Sequence, residues 1–247
     1  MSKLFESRNP ILSDSAMNKT INRSNDSTEY VERMSVDGAV NKSMMLFCIM
    51  MITTMVGYNN PSTMNLIIGA VGGIIAVLVG TFKPTTAPIS APIYALFEGL
   101  FVGSISAIYA AQFSGIVGQA VMLTFGTLIV MLGVYKSGLI KVTEKFKMGV
   151  FMATGAIMFT YIISFVLSFF GMSVPLLHSN GIMGIGISLV IIAVASLNLL
   201  IDFDSFEKGE ASGAPKYMEW VCAMGLLVTL VWLYIEFLRL LSKLQRD

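Results

Sequence analysis

Seven apolar runs, each about as long as a bilayer is thick, constrain this chain more than any other feature of its sequence. A hydrocarbon core of roughly 30 Å requires about 20 mainly apolar residues per helix. Backbone groups in lipid must form their hydrogen bonds within the segment, and the alternating pattern of a membrane barrel is absent, so each run is predicted to be a helix. The sequence therefore predicts an all-α bundle of seven transmembrane helices. Their predicted ranges are 42–57, 64–82, 90–110, 115–135, 147–170, 182–201 and 217–241.

The composition agrees with a lipid bilayer as the main surrounding. Hydrophobic residues make up 55% and charged residues 13% of the chain, whereas soluble domains contain about a quarter charged residues. Residues 1–41 differ, because they are polar and rich in Ser and Asn, and we expect a mobile cytoplasmic N-terminal arm there. Residues 42–247 are predicted to form one membrane domain. The net charge of +1 and the lack of a long basic run give no indication of a nucleic-acid partner.

The distribution of Lys and Arg predicts the orientation of the bundle. Thirteen of the sixteen basic residues lie in the N-terminal segment through Lys42 and in the loops after the second, fourth and sixth runs. Such loops are cytoplasmic by the positive-inside rule. The chain is therefore predicted to be a multi-pass membrane protein, with its N-terminus in the cytoplasm and its C-terminus outside.

Small residues recur at four-residue steps in the second and third runs. Gly69 and Gly73 form one GxxxG pair, and a longer stripe follows in the third run, made of Ala95, Gly99, Gly103 and Ala107. Small residues allow helix backbones to approach closely in lipid. We expect these stripes to pack helices within the molecule rather than to form a dimer.

Carboxylates inside apolar runs are functional candidates, because a charge near the bilayer centre costs about 3 to over 10 kcal/mol. Glu98 is the deepest by sequence, roughly 13 Å along the third run. It is either a proton-sensitive group or a protonated, hydrogen-bonded structural residue.

Two further carboxylates end the sixth run in "LNLLIDFDSFE". Asp202 and Asp204 are about 200° apart around a helix, so they cannot share a face. Asp202 shares its face with Asn198, which favours Asp202 as an inward, proton-sensitive group. Asp204 precedes Lys208 by four residues, which is typical of a solvated helix end.

The last run contains Glu219 at its start and Glu236 near its end. The short loop before the last run brings Glu219 to the same side of the membrane as the two aspartates. Glu236 would lie about 28 Å from that side, so it is predicted to pair with Arg239 on the next turn.

These groups suggest proton and cation chemistry rather than catalysis. A carboxyl group removed from water takes up a proton more readily, and a second carboxylate nearby strengthens this effect. Calcium requires six to eight oxygen ligands, so loose binding or passage of Ca²⁺ is expected, with no tight metal site and no cofactor. We predict no enzymatic activity, because the Ser–His and GxGD patterns of intramembrane proteases are absent.

Several stretches resemble the Bax inhibitor family in its bacterial YccA-like branch. They cover nearly the whole chain and include "SRNPILSD", "GAVNKS", "APIYALFEGLFVGSIS", "KVTEKFKMGVFMATG", "ASLNLLIDFDSFEKG" and "GAPKYMEWVCAMGLLVTLVWLYIEFLRLL". The resemblance implies a protein of the bacterial cytoplasmic membrane, and a seven-helix fold with a central last helix. It also implies a pH-dependent calcium leak governed by one aspartate in helix 6 and one in helix 7.

The helix 6 aspartate of the family corresponds to Asp202 or Asp204. Alignment by the late arginine places Thr229 at the helix 7 position, whereas alignment of "LYIE" would place Glu236 there. If Thr229 is the match, the second carboxylate of a pair must be Glu219 or Glu98.

Two functions follow as hypotheses. The first is a pH-sensitive calcium or cation leak of the cytoplasmic membrane, controlled by protonation of carboxylates at helices 6 and 7. The alternative is a non-conducting regulator that binds a membrane protein such as an AAA membrane protease, since bacterial relatives resemble inhibitors of that protease. The arm would then be the natural contact, and its deletion would separate the two hypotheses.

Overall fold

The computed structural model describes residues 32–171 and 181–245. Within these ranges, seven helices are long and apolar enough to cross a membrane, which confirms the predicted all-α, seven-helix architecture. They are α1 (Val36–Asn59), α2 (Thr63–Phe82), α3 (Ala87–Gln112), α4 (Ile116–Lys136), α5 (Glu144–Phe169), α6 (Ile182–Ala211) and α7 (Met218–Leu244). A short 3-10 turn, Pro84–Thr86, leads into α3.

Two helix ends differ clearly from the predicted ones. Helix α1 begins at Val36 instead of residue 42, because Ser35 caps it by accepting a hydrogen bond from the Gly38 amide. Helix α6 continues to Ala211 instead of ending at residue 201. Hydropathy marks where a helix leaves lipid, whereas the helix itself continues as long as its backbone hydrogen bonds are supported. Asp204 is therefore part of a continuous helix.

The segment before α1 packs on the α6–α7 connection. Arg33 pairs with Pro215 in an isolated antiparallel bridge, and the Met34 amide donates to Ala214 O at 2.7 Å. Met34 is only 2% exposed. The arm predicted for residues 1–41 therefore does not extend through residues 33–41, and residues 1–31 lie outside the described part of the chain.

Glycines bring α1, α2 and α3 into close contact. A Cβ atom on Gly69 of α2 would lie 2.7 Å from Phe101 N and 2.8 Å from Phe97 O of α3. On the other side of α3, a Cβ atom on Gly103 would collide with Thr54 O of α1. The predicted packing of small residues within the molecule is confirmed at these positions.

Helix α7 lies at the centre of the bundle, as the resemblance implies. It packs against α1, α3, α4 and α6, and its buried side chains include Leu227, Leu233 and Leu238. Helix α5 is peripheral, with Val150 as its only buried residue. A polar group on α7 is therefore surrounded by protein, whereas most of α5 is left to face lipid.

Candidate proton and cation site

Asp202 lies where α6 packs against α7. A Cβ atom on Gly225 of α7 would be 3.8 Å from Asp202 Oδ1, an ordinary van der Waals contact, so the carboxylate lies beside this glycine. Thr229, one turn further along α7 and 7% exposed, lies near the carboxylate, and its hydroxyl group donates to Gly225 O at 3.2 Å. Asp202 Oδ2 is buried and has no hydrogen-bond partner among the described residues. One oxygen of this carboxyl group is therefore buried inside the bundle without a hydrogen-bond partner among the described residues.

Asp204 points away from this site, toward α5. Its Oδ2 lies 2.7 Å from Lys147 Nζ and 2.9 Å from Lys208 Nζ, and Glu144 lies within 4 Å of both lysines. The residue is only 8% exposed. The expected pair with Lys208 is present, but the expectation of a solvated helix end is wrong. Packing of α5 on α6 covers Asp204, and two cations match its charge.

Asn198 and Glu98 do not join Asp202 through any contact within the described residues. Asn198 Nδ2 donates to Thr154 Oγ1 of α5 and to Val194 O, both at 2.9 Å. Glu98 lies between α2 and α3, where a Cβ atom on Gly73 would be 2.8 Å from its Oε2. The polar face that Asn198 was expected to share with Asp202 is instead used to connect α6 with α5.

Glu219 connects the start of α7 to the start of α1 through hydrogen bonds. Its Oε1 accepts hydrogen bonds from Ser35 N at 3.1 Å and Ser35 Oγ at 3.3 Å, and the residue is 2% exposed. Glu219 lies roughly 9 to 15 Å along α7 from the residues that face Asp202, at 1.5 Å per residue. Neither Glu219 nor Glu98 is therefore seen as the second carboxylate of a pair with Asp202.

Glu236 belongs to a separate polar cluster near the C-terminal end of α7. Its Oε1 accepts from Tyr161 Oη of α5 at 2.6 Å and from Arg239 Nη1 at 2.9 Å. The Arg239 guanidinium also lies over the Tyr161 ring, 5.0 Å from its centroid. One turn further, buried Lys243 Nζ donates to Gly184 O and to Ser188 Oγ at the start of α6. The predicted pair of Glu236 with Arg239 is thus present, and this cluster joins α5, α6 and α7.

The family model described as Bax inhibitor 1 like matches residues 9–246. The chain belongs to the Bax inhibitor 1 like family. Neither the search of curated proteins nor the search of solved structures found a match.

Thr229 of α7 lies near Asp202, one of the two candidates for the helix 6 aspartate. The alignment by the late arginine placed Thr229 at the helix 7 position, and Glu236 lies instead with Tyr161 and Arg239. The site of this chain therefore combines one carboxyl group and one hydroxyl group across the α6–α7 interface.

Three partners of the acidic residues could not be identified from the sequence. Lys147, Tyr161 and Ser35 come from α5 or from the start of α1, and each meets its carboxylate through packing of distant helices. Position in a helix was the only available signal, and it does not say which helix is adjacent. In the described part of the chain, no three His, Cys, Asp or Glu side chains come together as a group that could hold a metal ion.

Proposed function

We propose that the chain is a pH-sensitive cation leak of the bacterial cytoplasmic membrane, that it conducts calcium, and that Asp202 is its proton-sensitive group. One observation carries the proposal: a carboxylate oxygen of Asp202 is buried between α6 and α7 without a hydrogen-bond partner among the described residues. Membership of the Bax inhibitor 1 like family supports it. The proposal assigns no enzymatic activity to the chain.

The other buried carboxylates of α6 and α7 already have cations or hydrogen-bond donors as partners. Asp204 has two lysines, Glu236 has Arg239, and Glu219 accepts two hydrogen bonds from Ser35. Asp202 forms no ion pair with another described residue, so proton loss there creates a new charge without a partner in the bundle.

The direction of the pH effect follows from that difference. An isolated charge is costly in a low-dielectric interior, so the packing of α6 on α7 fits the protonated form of Asp202. The titratable group facing Asp202 from α7 is the Cys222 thiol, which supplies no positive charge. When the pH rises and Asp202 ionises, water and a cation become the groups that can stabilise it. Cation flux should therefore increase with pH.

Other hydroxyl oxygens inside the bundle are also available as weak ligands. Thr54 of α1 and Ser90 and Ser104 of α3 have buried side-chain oxygens without a hydrogen-bond partner among the described residues. A passing cation needs several oxygen ligands, and weak ligands permit its release. A leak is thus better supported than a tight calcium sensor.

The first prediction concerns calcium flux into liposomes that contain the purified full-length chain at pH 6, 7 and 8. Wild-type flux should rise with pH, whereas Asp202→Asn should show low flux at every pH because an amide remains neutral. Glu210→Gln is the matched control, since Glu210 is an exposed carboxylate of the same helix, and it should behave as wild type.

Two results would decide against this assignment. Wild-type flux that is independent of pH, or a pH response that survives Asp202→Asn, would remove Asp202 as the sensor. Absence of flux from folded protein at all three pH values would reject the leak itself. The regulator of a membrane protease would then become the leading function, and deletion of residues 2–31 would test its contact.

A further inference from the structure

A cavity of about 670 Å³ lies between four helices, on the opposite side of the α6–α7 pair from α5. Helices α1 and α4 form its two sides, and α6 and α7 form its floor. Its apolar lining includes Val40 and Met44 of α1, Leu132 of α4, Phe203 of α6 and Leu227 of α7. The volume is typical of a site for a small molecule.

Polar and apolar groups are separated along this cavity. Asp37 in the first turn of α1, Lys136 at the end of α4, and Glu207 lie at one end. At the other end, the rings of Phe47 and Phe125 meet edge to face at 5.6 Å and join α1 to α4. The cavity therefore has aromatic rings at its inner end and charged groups where α1 begins and α4 ends.

Two of the charged groups are available to a ligand. Asp37 and Lys136 are exposed, and neither forms an ion pair or a side-chain hydrogen bond with another described residue. Glu207 accepts a hydrogen bond from Tyr135 Oη through Oε2 at 2.7 Å, which orients its carboxylate at the same end of the cavity.

We propose that this cavity binds one membrane lipid with a phosphoethanolamine headgroup. One acyl chain enters the apolar part from the bilayer, between α1 and α4. Lys136 contacts the phosphate, and Asp37 and Glu207 accept hydrogen bonds from the primary ammonium group. This site is separate from Asp202, and the proposal does not depend on ion conduction.

Charge complementarity selects this occupant among membrane lipids. Two carboxylates and one lysine at the charged end disfavour a purely anionic headgroup such as phosphatidylglycerol. A choline headgroup is cationic but has no N–H group to donate to carboxylates. Hydrogen bonds to charged groups contribute more than neutral ones, so phosphatidylethanolamine should bind more tightly than phosphatidylcholine with identical acyl chains.

The test is native mass spectrometry of the full chain in detergent, titrated with phosphatidylethanolamine, phosphatidylcholine or phosphatidylglycerol. The wild type should bind the ethanolamine lipid about tenfold more tightly than either other lipid. The double variant Asp37→Asn, Glu207→Gln should lose this preference. Met44→Trp fills the cavity and should abolish the bound lipid. Met45→Trp, on the adjacent exposed residue that does not line the cavity, should bind as wild type does.

A second readout covers the case in which Met44→Trp fails to fold. Cys48 also lines the cavity, so in the Cys222→Ser background the ethanolamine lipid should slow alkylation of Cys48 by a maleimide. Equal binding of all three lipids, a preference for phosphatidylglycerol, or alkylation unaffected by lipid would each overturn the proposal.

Discussion

At the scale of single residues, two aspartates separated by one position have different surroundings. Asp202 faces Gly225 and Thr229 of α7, whereas Asp204 contacts Lys147 of α5. The angle between them around a helix could be predicted from their spacing. Which neighbour each one meets depends on where α5 and α7 pack, and residue spacing within α6 does not contain that information.

Gly69 tests the close packing of α2 on α3. Gly69→Ala should destabilise the protein by about 1–3 kcal/mol, because the added Cβ would meet backbone atoms of α3 at 2.7 and 2.8 Å. Gly126→Ala of α4 is the control, since nothing lies within 4 Å of its Cβ position, and it should be neutral or stabilising by up to about 1 kcal/mol. Thermal unfolding in detergent measures both. Equal effects of the two substitutions would contradict the role of Gly69.

Tyr161 tests the polar cluster around Glu236. Tyr161→Phe removes a hydroxyl group that donates to Glu236 and accepts from Arg239, so it should cost about 1–3 kcal/mol of unfolding free energy. Tyr217→Phe is the comparison, because the Tyr217 hydroxyl has no hydrogen bond to another described residue. Denaturant unfolding in detergent would measure both variants. A Tyr161→Phe protein as stable as the control would show that the cluster adds no stability.

At the scale of helices, apolar length predicted the membrane-spanning parts well and the helix ends poorly. Helices α2 and α4 begin and end within one residue of their predicted ranges. Helix α1 begins six residues early, where Ser35 caps it, and α6 extends ten residues further, where ion pairs of Asp204 and Lys208 cover its polar turns. Helix ends depend on capping and on the segments that pack beside them, so hydropathy alone does not locate them.

Ser35 has two roles that a matched substitution can separate. Ser35→Ala removes both the cap on Gly38 N and the hydroxyl hydrogen bond to Glu219. Ser62 caps α2 through Asn65 N, and it shows no comparable bond to another helix. Ser35→Ala should therefore cost about 1–2 kcal/mol and Ser62→Ala about 0.5–1 kcal/mol. Thermal unfolding would show this difference, and a larger loss for Ser62→Ala would contradict it.

At the scale of the whole molecule, the central position of α7 organises the rest. Its hydrophobic side chains are buried on several faces, and the polar groups of the other helices converge on it from both ends. Glu219 receives Ser35 near the start of α7, and Glu236 receives Tyr161 near its end. Conformational change at Asp202 would therefore act on the helix that most of the bundle contacts.

The orientation of the whole chain is predicted from the charges of its loops. A reporter phosphatase that is active only outside the cytoplasm should be active when fused after Asp247 and inactive when fused after Lys141. The charge distribution of the loops is the physical reason, since basic loops remain in the cytoplasm. The reverse pattern of activities would show that the bundle is inserted in the opposite direction.

The sequence by itself determined the membrane setting, the number of helices and the opposite directions of Asp202 and Asp204. These properties follow from apolar length and helical periodicity, which are local along the chain. Only the tertiary structure decided that Asp204 is matched by Lys147, that Glu219 holds Ser35, and that Thr229 and Gly225 face Asp202. The physical reason is that a buried polar group finds its ion-pair or hydrogen-bond partner on another helix. Seven apolar segments of similar hydropathy do not specify which of them are neighbours.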